Sequence, residues 1–166
     1  MKYVVVTGAF GGMGYSTVKV LTSAGYTVFA LDRKVGDAED GIIPIPTDVT
    51  DLRSIEKAVE KVKSVTQELF AVIHFAGIYS LDSLLEISDD RFRRIFEINV
   101  FGIYRINKAF APLLKKGSRI IITSSELAPL MPLPFTGIYA ITKTTVERYA
   151  YSLRMETQLL GIQVSV

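Results

Sequence analysis

Lys2-Tyr3-Val4-Val5-Val6-Thr7-Gly8-Ala9-Phe10-Gly11-Gly12-Met13-Gly14 is the stretch on which the fold turns. A short β-branched and aromatic run breaks into glycines and resumes as an amphipathic segment, which reads as strand, tight turn and helix start. Such a junction presents backbone N–H groups and the positive end of a helix to an anion. Glycines suit it because a β-carbon would block the turn or hold a pyrophosphate away. Gly8, Phe10, Gly11, Gly12, Met13 and Gly14 are therefore candidate residues for cradling the phosphates of a dinucleotide.

Outward from this junction, short apolar runs alternate with longer amphipathic ones, the signature of βαβ units around a parallel sheet. Strands are expected at about residues 2–7, 27–31, 42–46, 70–75, 118–123 and 162–166. Helices are expected at about 12–24, 51–67, 88–115 with a break near Asn99, and 138–160. In the second helix Leu52, Ile55, Val59 and Val62 form one apolar stripe and the charged residues face away, with Thr50 or Asp51 as its N-cap. The fold class is α/β, a Rossmann-like doubly wound parallel sheet in a single domain.

At 166 residues the chain is long enough to bury a real core. Lys+Arg of 19 against Asp+Glu of 17 leaves a formal charge of +2 and no block of like charge, which gives no footprint for nucleic acid or an anionic membrane. The absence of cysteine excludes disulfide and thiolate chemistry, and a single histidine argues against a metal site. No run approaches the ~20 apolar residues of a membrane helix, and Tyr3–Val6 is too short for a signal segment. A cytosolic location is the expectation.

Asp32 ends the second strand, eighteen positions after Gly14. A carboxylate there accepts hydrogen bonds from both hydroxyls of an adenosine ribose and repels a 2′-phosphate, which favours NAD. Arg33 follows and suits a 2′-phosphate, so NADP stays open. Asp48, in Thr47-Asp48-Val49, has two readings, a role at the adenine or a strand-end cap. Tyr139 and Lys143 stand four positions apart on the last helix. An isolated phenol titrates near ~10, and a cation one turn away stabilises its anion, so the pair reads as a proton donor tuned by an ammonium.

Taken together, these residues resemble the short-chain dehydrogenase/reductase family through nearly the whole chain. Thr7-Gly8, Gly12 and Gly14 fit its TGxxxGxG motif, and Tyr139-xxx-Lys143 fits its YxxxK motif. Ser125, in Ile122-Thr123-Ser124-Ser125, falls where the family keeps its catalytic serine, and Asn99 in Ile98-Asn99-Val100 fits the asparagine of its tetrad. The resemblance implies hydride exchange between a nicotinamide and an alcohol or carbonyl compound. Tyr139 would be the acid/base and Ser125 would bind the substrate oxygen. Lys143 would hold the nicotinamide ribose, and Asn99 would anchor a relaying water. Val49, Ala76 and Gly77 join the residues expected at the cofactor, and a homodimer or homotetramer built on about 100–115 and 138–160 is implied. Val146, Tyr149, Ala150 and Leu153 would form that surface or face the sheet.

Three departures qualify the match. The family's NNAG segment reads His74-Phe75-Ala76-Gly77, closer to the nucleotide-sugar epimerase branch, whose GxxGxxG pattern Gly8, Gly11 and Gly14 also satisfy. Ser125 lies one position further from Tyr139 than is usual. The sequence ends at Val166 on the sixth of an expected seven strands, as a shortened version of a longer enzyme would. An NAD-dependent epimerase or dehydratase, and a non-catalytic dinucleotide-binding module, are the alternatives. His74 is expected to be structural. The loop Leu127–Phe135, with three prolines, predicts an apolar alcohol or ketone substrate, or else packing against neighbouring elements or a partner subunit.

Overall fold

The computed structural model describes residues 2–128 and 133–166. Six strands form one parallel sheet: β1 (Lys2–Thr7), β2 (Tyr26–Asp32), β3 (Ile42–Pro46), β4 (Leu69–His74), β5 (Leu114–Ile122) and β6 (Gln163–Ser165), in the order β3-β2-β1-β4-β5-β6. The strand order reverses between β1 and β4, and in sheets of this kind ligands bind beyond the carboxyl ends of the strands at that point.

Alternation along the strands sends successive side chains to opposite faces. Val5 and Leu31 join a core with Ile55 and Val59 of α2 (Leu52–Lys63), Ile103 and Ile106 of α4 (Gly102–Phe110), and Val146 and Ala150 of α5 (Gly137–Thr157). Val4, Val6, Val28 and Ala30 pack on the other face with Val18 of α1 (Gly12–Ser23). Helices on both faces make the sheet doubly wound. Val146 and Ala150 are buried, with Tyr149 and Leu153 packed beside them, so this group faces the sheet.

Several boundaries differ from expectation for local reasons. The expected break near Asn99 is instead a π turn, Glu97–Phe101, joining α3 (Asp89–Phe96) to α4 without interruption. β5 starts at Leu114, four residues early, because its first turn is a bulge: Leu69 pairs with Leu114, Ala71 pairs with Arg119, and Gly117 sits at φ 93°. Asp51 caps α2, accepting from Arg53 N at 3.0 Å. Leu52 does not join the buried stripe. It occupies the first turn and is 59% exposed, and Ala58 takes its place with Ile55, Val59 and Val62.

His74 is structural, as expected, and fully buried at the end of β4. Its Nε2 lies 2.8 Å from Asn107 Oδ1, and Asn107 Nδ2 donates to Tyr149 Oη at 3.1 Å. The amide oxygen is only an acceptor, so Nε2 carries the proton and, among the described residues, the buried Nδ1 has no partner. Burial pushes the His74 pKa down to about 4, against the favourable effect of Asn107. Between that value and the ~6.5 of an unfolded chain, the native state binds fewer protons than the unfolded state, so stability falls as pH drops through this window. Urea unfolding at pH 7 and pH 4 should differ by roughly 3 kcal/mol through this residue, and His74→Asn should remove most of that difference.

Candidate active site

The turn after β1 is shaped by contacts with its own neighbours. Gly8 adopts φ 66°, and a β-carbon there would lie 2.5 Å from Ala76 N in the segment that follows β4. A β-carbon on Gly14 would collide with the Gly8 carbonyl, so α1 packs directly on the turn. Gly12 is different, since a β-carbon there would meet nothing within 4 Å. The protein's own packing does not need that glycine, and the space is left on the outer side of the turn. Gly11 caps α1 with no side-chain hydrogen bond, and no acid stands in the first turn. The N–H groups at this helix end therefore have no side chain competing for them, and Met13 beside them is 65% exposed.

A cleft of about 440 Å³ opens at the strands' carboxyl ends. Gly8 and Gly11 form one wall, Asp32, Arg33 and Thr47–Thr50 a second, and Phe75–Ile78 a third, with Arg94 and Glu97 across the mouth. Phe10 N donates to Asp32 Oδ2 at 3.0 Å, which aims this carboxylate along the glycine turn. Asp48 shows its capping role: Oδ1 accepts from Thr50 N (2.9 Å) and Thr50 Oγ1 (2.7 Å). Partial burial works against its ionisation, but those bonds and the charges of Arg33 and Arg94 outweigh it and hold its pKa below the usual aspartate range. Val49 is buried in the same wall, against Gly102 of α4. A glycine cradle, an open helix end and an oriented carboxylate fit a dinucleotide.

α5 brings the second group of residues to this edge. Lys143 is buried, and its Nζ donates to Thr123 O at 2.8 Å, just beyond β5. The same Nζ lies 5.7 Å from the ring centroid of Tyr139, one turn earlier. Tyr139 is half-buried and meets Tyr79 edge-on at 4.8 Å between centroids. Asn99 ties the group together. Its Oδ1 accepts from Ile78 N (2.8 Å), and its Nδ2 donates to Ile78 O (3.0 Å) and to Thr142 Oγ1 (3.2 Å). Thr142 passes the chain on by donating to Tyr139 O at 2.7 Å. A β-carbon on Gly77 would be in ordinary contact with both groups, 3.4 Å from Asn99 Oδ1 and 4.0 Å from Lys143 Nζ, so this residue lies directly beside them.

Ser125 lies in the turn three residues past β5 rather than on the strand, with its Oγ accepting from Leu127 N at 3.2 Å. Sequence reasoning missed three participants. Thr142 stands between Tyr139 and Lys143 and completes the path from Asn99. Glu147, one turn beyond Lys143, accepts from Ser124 Oγ at 2.9 Å and so pins the residue next to Ser125. Tyr79 supplies the aromatic neighbour of Tyr139. The i+4 spacing of Lys143 and Glu147 was a signal for the second, whereas Tyr79 carries no motif.

A family model described as short chain dehydrogenase matches residues 2–166. The chain belongs to the short-chain dehydrogenase family. It is 33% identical to the mitochondrial D-beta-hydroxybutyrate dehydrogenase of Rattus norvegicus, over 99% of this chain and 52% of that protein. It is also 33% identical to estradiol 17-beta-dehydrogenase 2 of Mus musculus, over 98% of this chain and 46% of that protein. The chain thus spans about half the length of the curated relatives it matches. Among solved structures, a variant short-chain dehydrogenase/reductase of Serratia marcescens superposes with a TM-score of 0.91 at 25% identity, covering 98% of this chain and 75% of that one. The 3-ketoacyl-(acyl-carrier-protein) reductase of Brucella melitensis, solved with NADH, shares the fold with a TM-score of 0.90 at 22% identity, over 99% and 74% of the two chains. The epimerase alternative is not favoured, because these relatives are dehydrogenases and reductases. Among the described residues no helix is long and apolar enough to cross a membrane.

Burial lowers the Lys143 pKa, and a backbone carbonyl is its hydrogen-bond partner. The unfolded chain holds that proton more tightly than the folded one, so the buried charge counts against folding at neutral pH. Lys143→Met in this short-chain dehydrogenase should therefore leave the melting temperature unchanged or higher. Differential scanning calorimetry checks this directly.

Proposed function

We propose that this chain carries the cofactor-binding and proton-transfer residues of a nicotinamide-dependent oxidoreductase that interconverts an alcohol and a ketone or aldehyde. The observation that carries the reading is the placement of Tyr139. Its ring adjoins the Lys143 ammonium, and Lys143 and Asn99 tie its helix to the segments that follow β5 and β4. The glycine cradle opens at the same sheet edge.

Bound nicotinamide supplies or takes the hydride. Tyr139 gives its phenolic proton to the carbonyl oxygen in reduction and recovers it in oxidation. Ser125 donates to the same substrate oxygen and holds it within reach of the phenol. Lys143 also holds the ribose beside the nicotinamide, and Asn99 fixes the loop–helix junction on which a relaying water depends. Glycines 8, 11, 12 and 14, with Phe10 and Met13, take the pyrophosphate. Asp32 takes the adenosine ribose, while Asp48, Val49, Ala76 and Gly77 line the rest of the cleft. The Asp32 carboxylate supports NAD over NADP, even with Arg33 beside it.

The oligomer proposed with this reading is a homodimer or homotetramer packed through α4 and α5. Tyr104, Tyr151 and Met155 on these helices, with Phe101 just before α4, are exposed and give that contact apolar area.

Tyr139→Phe should keep NADH affinity, read by fluorescence titration, and lower turnover by roughly 10²–10⁴-fold. Unchanged turnover would remove Tyr139 from the chemistry and the reading with it.

A further inference from the structure

Two segments adjoin Tyr139: residues 78–88 after β4, and, among the described residues, 124–128 and 133–136 leading into α5. They are held to each other, since Asp82 N donates to Phe135 O at 2.9 Å. Leu84 lies against the start of α5, so close that a β-carbon on Gly137 would be 2.9 Å from its Cδ1. Their outer side is unusually apolar. Leu85 is 98% exposed, Leu81 64%, Leu133 63%, Phe135 62% and Tyr79 55%, and Tyr79 is the residue whose ring meets Tyr139.

The charges on these segments are all of one sign. Asp82, Glu86 and Glu126 lie within them, and neither segment contains a lysine, arginine or histidine. Arg91, the next basic residue along the chain, is bound to Asp82 through Nε at 3.4 Å, and Asp82 also accepts from Ser80. The Lys143 ammonium is buried and directed to Thr123 O. A substrate carboxylate or phosphate at this rim would meet Glu86 and Glu126, with the cation of Arg91 already engaged by Asp82, while an alkyl or ring substituent would cover exposed leucine and phenylalanine.

We infer that the site takes an uncharged, apolar alcohol or carbonyl compound and turns away anionic ones. This deepens the redox reading and rests on it. In the reductive direction hydride from NADH adds to the carbonyl carbon and the Tyr139 proton to its oxygen, giving the alcohol and NAD⁺. Apolar contact area at the rim favours longer chains, and the acidic groups disfavour an anion both on approach and when bound.

The test measures NADH consumption by the purified protein with 2-butanone, 2-hexanone, 2-nonanone and the anion 3-oxobutanoate. The expected result is kcat/KM rising by up to roughly fourfold per methylene and exceeding that for 3-oxobutanoate throughout. Leu85→Ser and Phe135→Ser should shrink the ratio of 2-nonanone to 2-butanone, and Glu126→Lys should raise use of 3-oxobutanoate several-fold. A preference for 3-oxobutanoate that Tyr139→Phe abolishes overturns the inference and leaves the redox reading standing. Serine variants that keep the chain-length ratio but split an oligomer in sedimentation make the rim a subunit contact and also overturn it. If no carbonyl is consumed faster than by Tyr139→Phe, the redox reading falls and takes the inference with it.

Discussion

Everything at the carboxyl edge of the sheet depends on one close approach, the backbone of Gly8 against the backbone of Ala76. β1 and β4 are adjacent strands whose following loops leave in different directions, and the cleft exists because those loops touch at their roots before diverging. Phe75 N donates to Thr7 O at 2.9 Å just before the contact, so the strand ladder runs right up to it. Any side chain at position 8 would wedge the two loops apart, and its φ of 66° would strain the backbone of any residue but glycine.

Above that root the site is assembled by a few side chains that bridge loops to helices. The Asn99 amide uses both of its protons and its oxygen to join the π turn, the segment after β4 and α5. Lys143 and Glu147, one turn apart on α5, hold two consecutive residues after β5. Tyr139 therefore stands on a helix fixed from two sides, and the residue next to Ser125 is fixed to that same helix. Geometry set by such short links varies little, which suits the proposed role of Tyr139 and Ser125 in meeting one oxygen together.

Most of this was legible in the sequence because its causes are local. The glycine turn, the alternating short and long apolar runs, and the spacing of Tyr139 and Lys143 each follow from neighbouring residues. The misses share a different origin. Leu52 matches the helical period of α2, but it sits in the first turn and stays exposed, while Ala58 completes the buried stripe. The sequence pattern runs the helix to 115 and begins the strand only at 118, because the bulge over 115–117 is fixed by Ser118, whose Oγ donates to the Leu69 carbonyl 49 positions away. Asn99 has the composition of a break, and only its partners in the segment after β4 and on α5 make a wider turn preferable. The apolar loop Leu127–Phe135 is half answered: Phe135 pairs through its carbonyl with Asp82, and residues 129–132 lie outside the described residues.

The π turn at Glu97–Phe101 also sets a rule for how this helix tolerates change. A π turn is equivalent to a single residue inserted into an α-helix, so the faces of α3 and α4 are out of phase by about 100°. Ile95 before it and Ile103 after it are both buried with that offset in place. Shortening the turn by one residue would make a more regular helix, yet it would rotate one half of the apolar surface into water. Substitutions along this helix are thus constrained one at a time, whereas its length admits no alteration at all.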